Sequence, residues 1–208
     1  MRLPQIPILS DLDGTLIDSK ASVLAAFRWW AELRGLSPEV ANFIPFGRTS
    51  TDAAAVLAPH LNAIDEGRLL DERQAEDTDG VVALPGGFEL LSTHSMLAIV
   101  TSCPKPLAQA RLKAARLPLP RFLITPECWL RGKPDPEPYL KGAAALGVQP
   151  KDCVVLEDAP SGVESGASAG MRVIAILTSH SVEQLPRASI HIRSLFELPV
   201  AFGKLGLQ

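Results

Sequence analysis

Cysteine is scarce in this sequence: Cys103, Cys128 and Cys153 are the only three among 208 residues. That number and scatter exclude a disulfide framework and a zinc cluster, and point to a reducing compartment. Aromatic residues are sparse at 5%, and no basic run or aromatic-rich basic stripe occurs. The 20 Lys and Arg are outweighed by 23 Asp and Glu, for a net charge of −3. This balance excludes a nucleic-acid binder whose affinity rests on neutralising backbone phosphates. Long hydrophobic runs are missing too: 97–100 and 173–177 fall far short of a bilayer span. Residues 1–9 hold one Arg and two prolines rather than an apolar signal-peptide core. The expectation is a soluble cytoplasmic protein, a monomer or weak dimer, with no nucleic-acid or membrane partner. An anionic ligand then has to be met by a local site.

What is present is a set of short apolar runs, each followed by turn residues and then by a helical pattern. Residues 6–9, 97–101, 122–125, 153–157 and 172–177 read as buried strands. Residues 106–116, 137–146 and 161–169 read as helices, with Gly147 and Gly170 where C-terminal caps belong. Alternating strand and helix predicts an α/β fold, a parallel sheet with helices on both faces. Between Asp18 and about Gly80 the alternation stops, and the patterns at 21–33, 51–61 and 63–77 are all helical. Ser19 is the expected cap of the first of these and Gly35 its stop. The third carries Asp65, Glu66, Arg68, Asp71, Glu72, Arg73, Glu76 and Asp77, which reads as a solvated helix face. An all-helical segment inserted after the first strand predicts a small second domain over the end of the sheet: 18–80 the insert, 1–17 and 81–208 the core.

Asp11-Leu12-Asp13-Gly14-Thr15 follows the first predicted strand directly. Carboxylates two residues apart at a strand end point to one side, and in an open α/β sheet the carboxyl ends of the strands form the ligand crevice. Two acids there repel each other and need a cation or a shared proton. A plain turn or a calcium-loop fragment is the competing reading, although Thr15-Leu16-Ile17 supplies no further oxygen ligands. A second acidic pair, Glu157-Asp158, ends another predicted strand. Oxygen-only ligands of this kind suit Mg²⁺. Lys133 lies in a proline-rich loop and is the cation such an acidic site requires if a phosphate dianion is to enter, together with one protonated carboxyl. Thr101 and Ser102 put hydroxyls and turning backbone amides at a further strand end, suited to phosphate oxygens, or to an ordinary helix cap.

In this order and spacing the four elements resemble the haloacid dehalogenase-like (HAD) hydrolase superfamily. Asp11-x-Asp13-Gly14-Thr15-Leu16 is similar to its first motif, Thr101 to the second, Lys133 to the third and Glu157-Asp158 to the fourth. The likeness is closest to its sugar phosphatases, whose wording Gly132-Lys133-Pro134-Asp135-Pro136-Glu137-Pro138-Tyr139 and Glu157-Asp158-Ala159-Pro160-Ser161-Gly162 nearly repeat. The resemblance implies a Rossmann-like core with a small helical cap, and hydrolysis of a small phosphate ester, a sugar or polyol phosphate, with Mg²⁺. It makes Asp11 the nucleophile and Asp13 the acid and base. It gives the metal to Asp11, the Asp13 backbone carbonyl and Asp158, with Glu157 in support, and the phosphoryl group to Thr101, Ser102 and Lys133. Arg48, in the link between the first two insert helices, is the candidate for the leaving group, or else a solvated surface residue. A phosphomutase of the same superfamily, or a catalytically silent binding protein on the same fold, are the alternatives. The sequence departs from the pattern at Cys103, at Ser10 and in a shortened segment over 90–97. The four histidines show no ligand spacing and read as non-catalytic. Of Trp29 and Trp30, one is expected to pack the insert and one to stay partly exposed.

Overall fold

The computed structural model describes residues 4–207; residues 1–3 and 208, at the outer ends of the expected core ranges, lie outside it. The chain begins with β1 (Ile8–Ser10) and a two-residue strand β2 (Ile17–Asp18). Three helices follow, α1 (Lys20–Leu33), α2 (Ser50–Leu57) and α3 (Ala63–Glu76), and then β3 (Val82–Ala83). From there strand and helix alternate: α4 (Gly87–Thr93), β4 (Leu97–Val100), α5 (Lys105–Ala114), β5 (Phe122–Ile124) and α6 (Glu137–Leu146). The chain continues through β6 (Val154–Glu157), α7 (Pro160–Ser168), β7 (Arg172–Ile176), β8 (Ile190–Ile192) and α8 (Leu198–Lys204).

Six strands form one parallel sheet in the order β5-β4-β1-β6-β7-β8. The continuous apolar runs make sense on such a sheet, because side chains alternate and both faces are covered. Ile8, Ile99, Leu156 and Ile174 pack on one face; Leu9, Val100, Val155 and Val173 pack on the other. The chain leaves β1 toward β4 on one side and returns to β6 on the other. That reversal opens a crevice at the carboxyl ends of β1, β4 and β6.

Residues 20–76 hold the three expected helices around a separate apolar cluster that includes Phe27, Trp30, Ala53 and Leu70. Trp30 is fully buried, while Trp29 is half-buried with the Arg73 guanidinium 5.6 Å from its ring centre. The short strands β2 and β3 pair antiparallel at the two ends of this segment, Ile17 with Ala83 and Asp18 with Val82. Two residues are too few to show alternation, so sequence periodicity had no access to them; β8 was missed because it lies at the sheet edge and His191 interrupts its apolar run.

Other expectations are corrected by the structure. The second insert helix ends at Leu57 rather than 61, because Pro59 pushes Ala58 out of helical geometry. Ser19 stands at the N-cap of α1 as expected, its carbonyl accepting from the Val23 amide at 3.0 Å, but its hydroxyl makes no cap bond and donates instead to Asp13 Oδ1 at 2.6 Å. Nor is the charged face of α3 wholly solvated. Glu66 is buried and accepts from Trp30 Nε1 at 2.6 Å and Arg34 Nε at 2.9 Å. A glutamate one turn from apolar Leu70 can be recruited by an indole N–H that needs a partner once buried.

Candidate active site

Asp11 follows β1, its amide donating to the Leu156 carbonyl at 2.9 Å, so its side chain projects between β4 and β6. Lys133 Nζ reaches it from the loop before α6 and donates to Asp11 Oδ1 at 2.6 Å. The same ammonium donates to Glu157 Oε1 at 2.6 Å and to the Val100 carbonyl at 3.1 Å, which uses all three of its hydrogens. Burial alone would lower the lysine's pKa, but Asp11 and Glu157 outweigh it and hold the amine protonated.

Glu157 closes β6 and has no exposure. Its Oε1 also accepts the Tyr139 hydroxyl at 2.8 Å, and its Oε2 accepts the amides of Asp158 and Ala159 at 3.0 and 3.1 Å. With both oxygens so engaged, its evident work is to aim Lys133 and the turn into α7. A Cβ at Gly162 would sit 1.6 Å from Glu157 Oε1, so only glycine lets that helix approach so closely. Asp158 accepts the Ser179 hydroxyl, and its carbonyl oxygen lies 3.0 Å from His180 Nδ1. Gly14, at φ +79°, has its α-carbon so near that a Cβ there would lie 2.0 Å from Asp158 Oδ2.

Carboxylate oxygens of Asp11, Glu157 and Asp158 lie within 4.8 Å of one another, all buried. Burial pushes the Asp11 carboxyl well above its ordinary value, opposed by Lys133 and reinforced by Glu157 and Asp158. Burial, then repulsion from Glu157, pushes Asp158 up to about 8. Such strain among hard oxygen donors is what a divalent cation relieves, so the residues present fit one.

Asp13 stands outside that cluster, its carboxylate a quarter exposed. Besides Ser19, its Oδ1 accepts from Arg111 at 2.9 Å, and its Oδ2 accepts the Cys103 thiol at 3.0 Å. Burial holds that thiol well above its usual pKa, even against the pull of Arg111, so it serves as a neutral donor. Thr101 Oγ1 accepts the Cys103 amide at 3.1 Å, which leaves its hydrogen free to donate. The Ser102 hydroxyl donates to the Gly47 carbonyl at 2.9 Å, so its hydrogen ties the core to the insert. Arg48 is exposed and makes no ion pair among the described residues, yet it lines the same cavity of about 70 Å³ as Asp11, Asp13 and Thr101. A second cavity, about 240 Å³, is lined by Asp13 together with Asp158, Ser179 and Lys20.

Sequence reasoning missed Arg111, Ser179 and Tyr139. Arg111 is 2% exposed and joins Asp13 to Gln74 of the insert, whose Oε1 accepts from it at 2.6 Å. Its signal was present: Leu107 and Arg111 are one turn apart, so the arginine shares a buried face. It supplies a second cation beside the four carboxylates, where the sequence reading counted Lys133 alone. Ser179 lies beyond β7 and had no signal.

A family model for haloacid dehalogenase-like hydrolases matches residues 8–176. The chain is 42% identical over 199 residues to hexitol phosphatase A of Escherichia coli (strain K12), covering 92% of each. It is 30% identical over 191 residues to glycerol-1-phosphate phosphohydrolase 2 of Saccharomyces cerevisiae, covering 85% of this chain and 76% of that protein. Among solved structures, a hydrolase from Pseudomonas syringae superposes with a TM-score of 0.83 at 24% identity, covering 97% of this chain and 99% of that one; at that identity the likeness concerns the fold. A family match that begins at β1 and runs through β7, over the motifs the sheet gathers at one crevice, means that the chain belongs to the haloacid dehalogenase-like hydrolases.

Proposed function

We propose that this protein is a phosphatase acting on a small sugar or polyol phosphate monoester through an aspartyl-phosphate on Asp11, with Mg²⁺ as its metal. The observation that carries the reading is Asp11 itself: a buried carboxylate clamped by Lys133 at 2.6 Å, with the second carboxylate Asp13 on the same cavity. The likeness to hexitol and glycerol-phosphate phosphatases supports the substrate class.

Lys133 fixes Oδ1 of Asp11 and leaves Oδ2 to attack phosphorus. As the P–O bond to the leaving group breaks, Asp13 gives its proton to the departing oxygen; in the second half it takes a proton from water, which attacks the acyl phosphate and frees Asp11. The Thr101 hydroxyl would bond the phosphoryl oxygens, and Lys133, its three hydrogens engaged, would offset the charge that builds on them through space. Asp11, Asp158 and the Asp13 carbonyl would hold Mg²⁺, with Glu157 in support, and the bound ion would neutralise phosphoryl charge and align the ester. Residues 18–80 act as the cap that covers the leaving-group side, with Arg48 at the mouth. The three free thiols support a reducing compartment, the cytoplasm.

The test is release of phosphate from a panel of hexitol, hexose and glycerol phosphates, with and without Mg²⁺, by the native enzyme and by Asp11→Asn. Turnover of at least one ester by the native enzyme, and loss of more than about a thousandfold in the variant, is expected. Release by Asp11→Asn at a few per cent of the native rate would overturn the nucleophile.

A further inference from the structure

Three consecutive side chains in the turn after β7 reach back to the metal-site segments at Gly14 and Asp158. The Thr178 hydroxyl donates to the Gly14 carbonyl, and the Ser179 hydroxyl to Asp158 Oδ2. His180 Nδ1 lies 3.0 Å from the Asp158 carbonyl oxygen; a carbonyl only accepts, so this nitrogen carries the hydrogen. The placement follows from the sheet. β6 and β7 are parallel neighbours, with Glu157 level with Ala175, so residues just past both strands emerge at the same end of the crevice. The turn is tied on both sides. Before it, the Leu177 amide donates to the Ile192 carbonyl at 2.9 Å; after it, Ser181 and Gln184 form a capping box. The family match stops at Ile176, short of all three residues.

We infer that Thr178 and Ser179 are positioning residues for the metal, which pin Gly14 and Asp158 and so set the affinity for Mg²⁺ and the preference for it over Ca²⁺. On the magnesium reading proposed above, on which this rests, Asp158 and the Asp13 carbonyl would hold the ion. The Asp158 carboxylate has little else to fix it. Thr15 Oγ1 stands 3.5 Å from its Oδ1, beyond the usual hydrogen-bond range, and Lys133 bonds Asp11 and Glu157 instead. An oxygen with two lone pairs can accept from Ser179 and still face an ion. Gly14, at φ +79°, is the freest joint beside the Asp13 carbonyl. Its amide is held by the Ile17 carbonyl at 2.7 Å and its own carbonyl by Thr178, which fixes the peptide between them. The two restraints meet: a Cβ at Gly14 would lie 2.0 Å from Asp158 Oδ2 and 2.8 Å from Ser179 Oγ. Mg²⁺ demands near-ideal octahedral geometry, whereas Ca²⁺ accepts irregular shells, so ligands free to wander penalise Mg²⁺ more. Thr178 and Ser179 also line the cavity of about 240 Å³ beside Asp13 and Asp158, which has room for the several waters that Mg²⁺ keeps.

The experiment follows the rise in Tm with added Mg²⁺, and separately with Ca²⁺, for the native protein, Ser179→Ala and Thr178→Val. Each curve yields a dissociation constant without any turnover. Removing a partner of a metal-binding group costs about 10- to 100-fold in metal affinity. Both variants are therefore expected to bind Mg²⁺ about tenfold or more weakly, to lose less toward Ca²⁺, and to keep nearly the native Tm in EDTA. Native Mg²⁺ affinity in both variants would overturn the inference. So would a lower Tm in EDTA with unchanged dissociation constants, which would reduce the turn to a structural role, or equal losses for the two ions, which would leave nothing for positioning to explain. In each of these cases the native protein still binds Mg²⁺ and the magnesium reading stands. If the native protein bound neither ion, both would fall.

Discussion

Replacing Lys133 by methionine removes a charge at the point where three elements meet. The side chain has no exposure and its ammonium binds Asp11, Glu157 and the Val100 carbonyl. Methionine fills most of the stem's volume, so the change is mainly one of charge. Glu157 keeps the Tyr139 hydroxyl and two backbone amides, but Asp11 loses the single side-chain cation that bonds it. Removing one partner of a buried ion pair costs about 3–5 kcal/mol, a large share of the roughly 5–15 kcal/mol that holds a domain together. For a chain of this size that is a fall in Tm of roughly 10 °C in metal-free buffer. Because the folded lysine's pKa lies above its unfolded value, its contribution is complete at every pH below about 10 and the deficit is present at neutrality. Adding Asp11→Asn to Lys133→Met removes the carboxylate left without a partner, so the double variant should recover stability over the single one while activity stays lost. Urea unfolding followed by circular dichroism gives the first quantity and phosphate release the second, with kcat expected to fall about a thousandfold. If Lys133→Met unfolds within about 1 kcal/mol of the native protein, or if the double variant is the less stable of the two, the reasoning from buried charge is wrong.

Two further outcomes follow from the geometry. EDTA should abolish phosphate release and Mg²⁺ restore it, whereas Ca²⁺, which accepts more ligands in looser geometry, should inhibit; full turnover in Ca²⁺ alone would contradict the assignment of the Asp11, Glu157 and Asp158 cluster. Glu66→Ala should cost about 2–4 kcal/mol by leaving the buried Trp30 indole and Arg34 unpaired. Arg34 holds the Glu66 carboxyl below its ordinary range, so this contribution is complete above the unfolded pKa of about 4.5 and is lost as pH falls. Stability curves of the two proteins should therefore converge toward pH 3, and a gap that stays constant to that pH would refute the pairing.

The core of the fold was legible because a parallel sheet covered on both faces turns its strands into uninterrupted apolar runs, and five of the six were read from them. What periodicity missed had no room for a period. The strands β2 and β3 are two residues each, and β8, an edge strand, has its apolar run broken by His191. Helix ends shifted where a backbone constraint such as Pro59 outranked side-chain pattern. The charged face of α3 was misread for a different reason. Charge density reports solvation only on average, and Glu66 is recruited inward by an indole N–H that a sequence cannot place.

At the site, the residues that announced themselves are those whose spacing is fixed by strand ends. Asp11 and Asp13 are two apart, Glu157 and Asp158 adjacent, and Thr101 directly follows β4. The crevice then assembles them, because β1, β4 and β6 are neighbours in the sheet. Arg111, Gln74 and Asp71 carried no such mark, since their proximity exists only once α3 of the insert lies against α5 of the core. This division has a chemical logic. On the proposed function, the residues that would handle the phosphoryl group meet a ligand common to every ester, and most of them sit on rigid strand ends. The insert, which on that reading covers the leaving group, is placed instead by helix packing. The Arg111 guanidinium joins the two sets, with Asp13 on one nitrogen and Gln74 on the other.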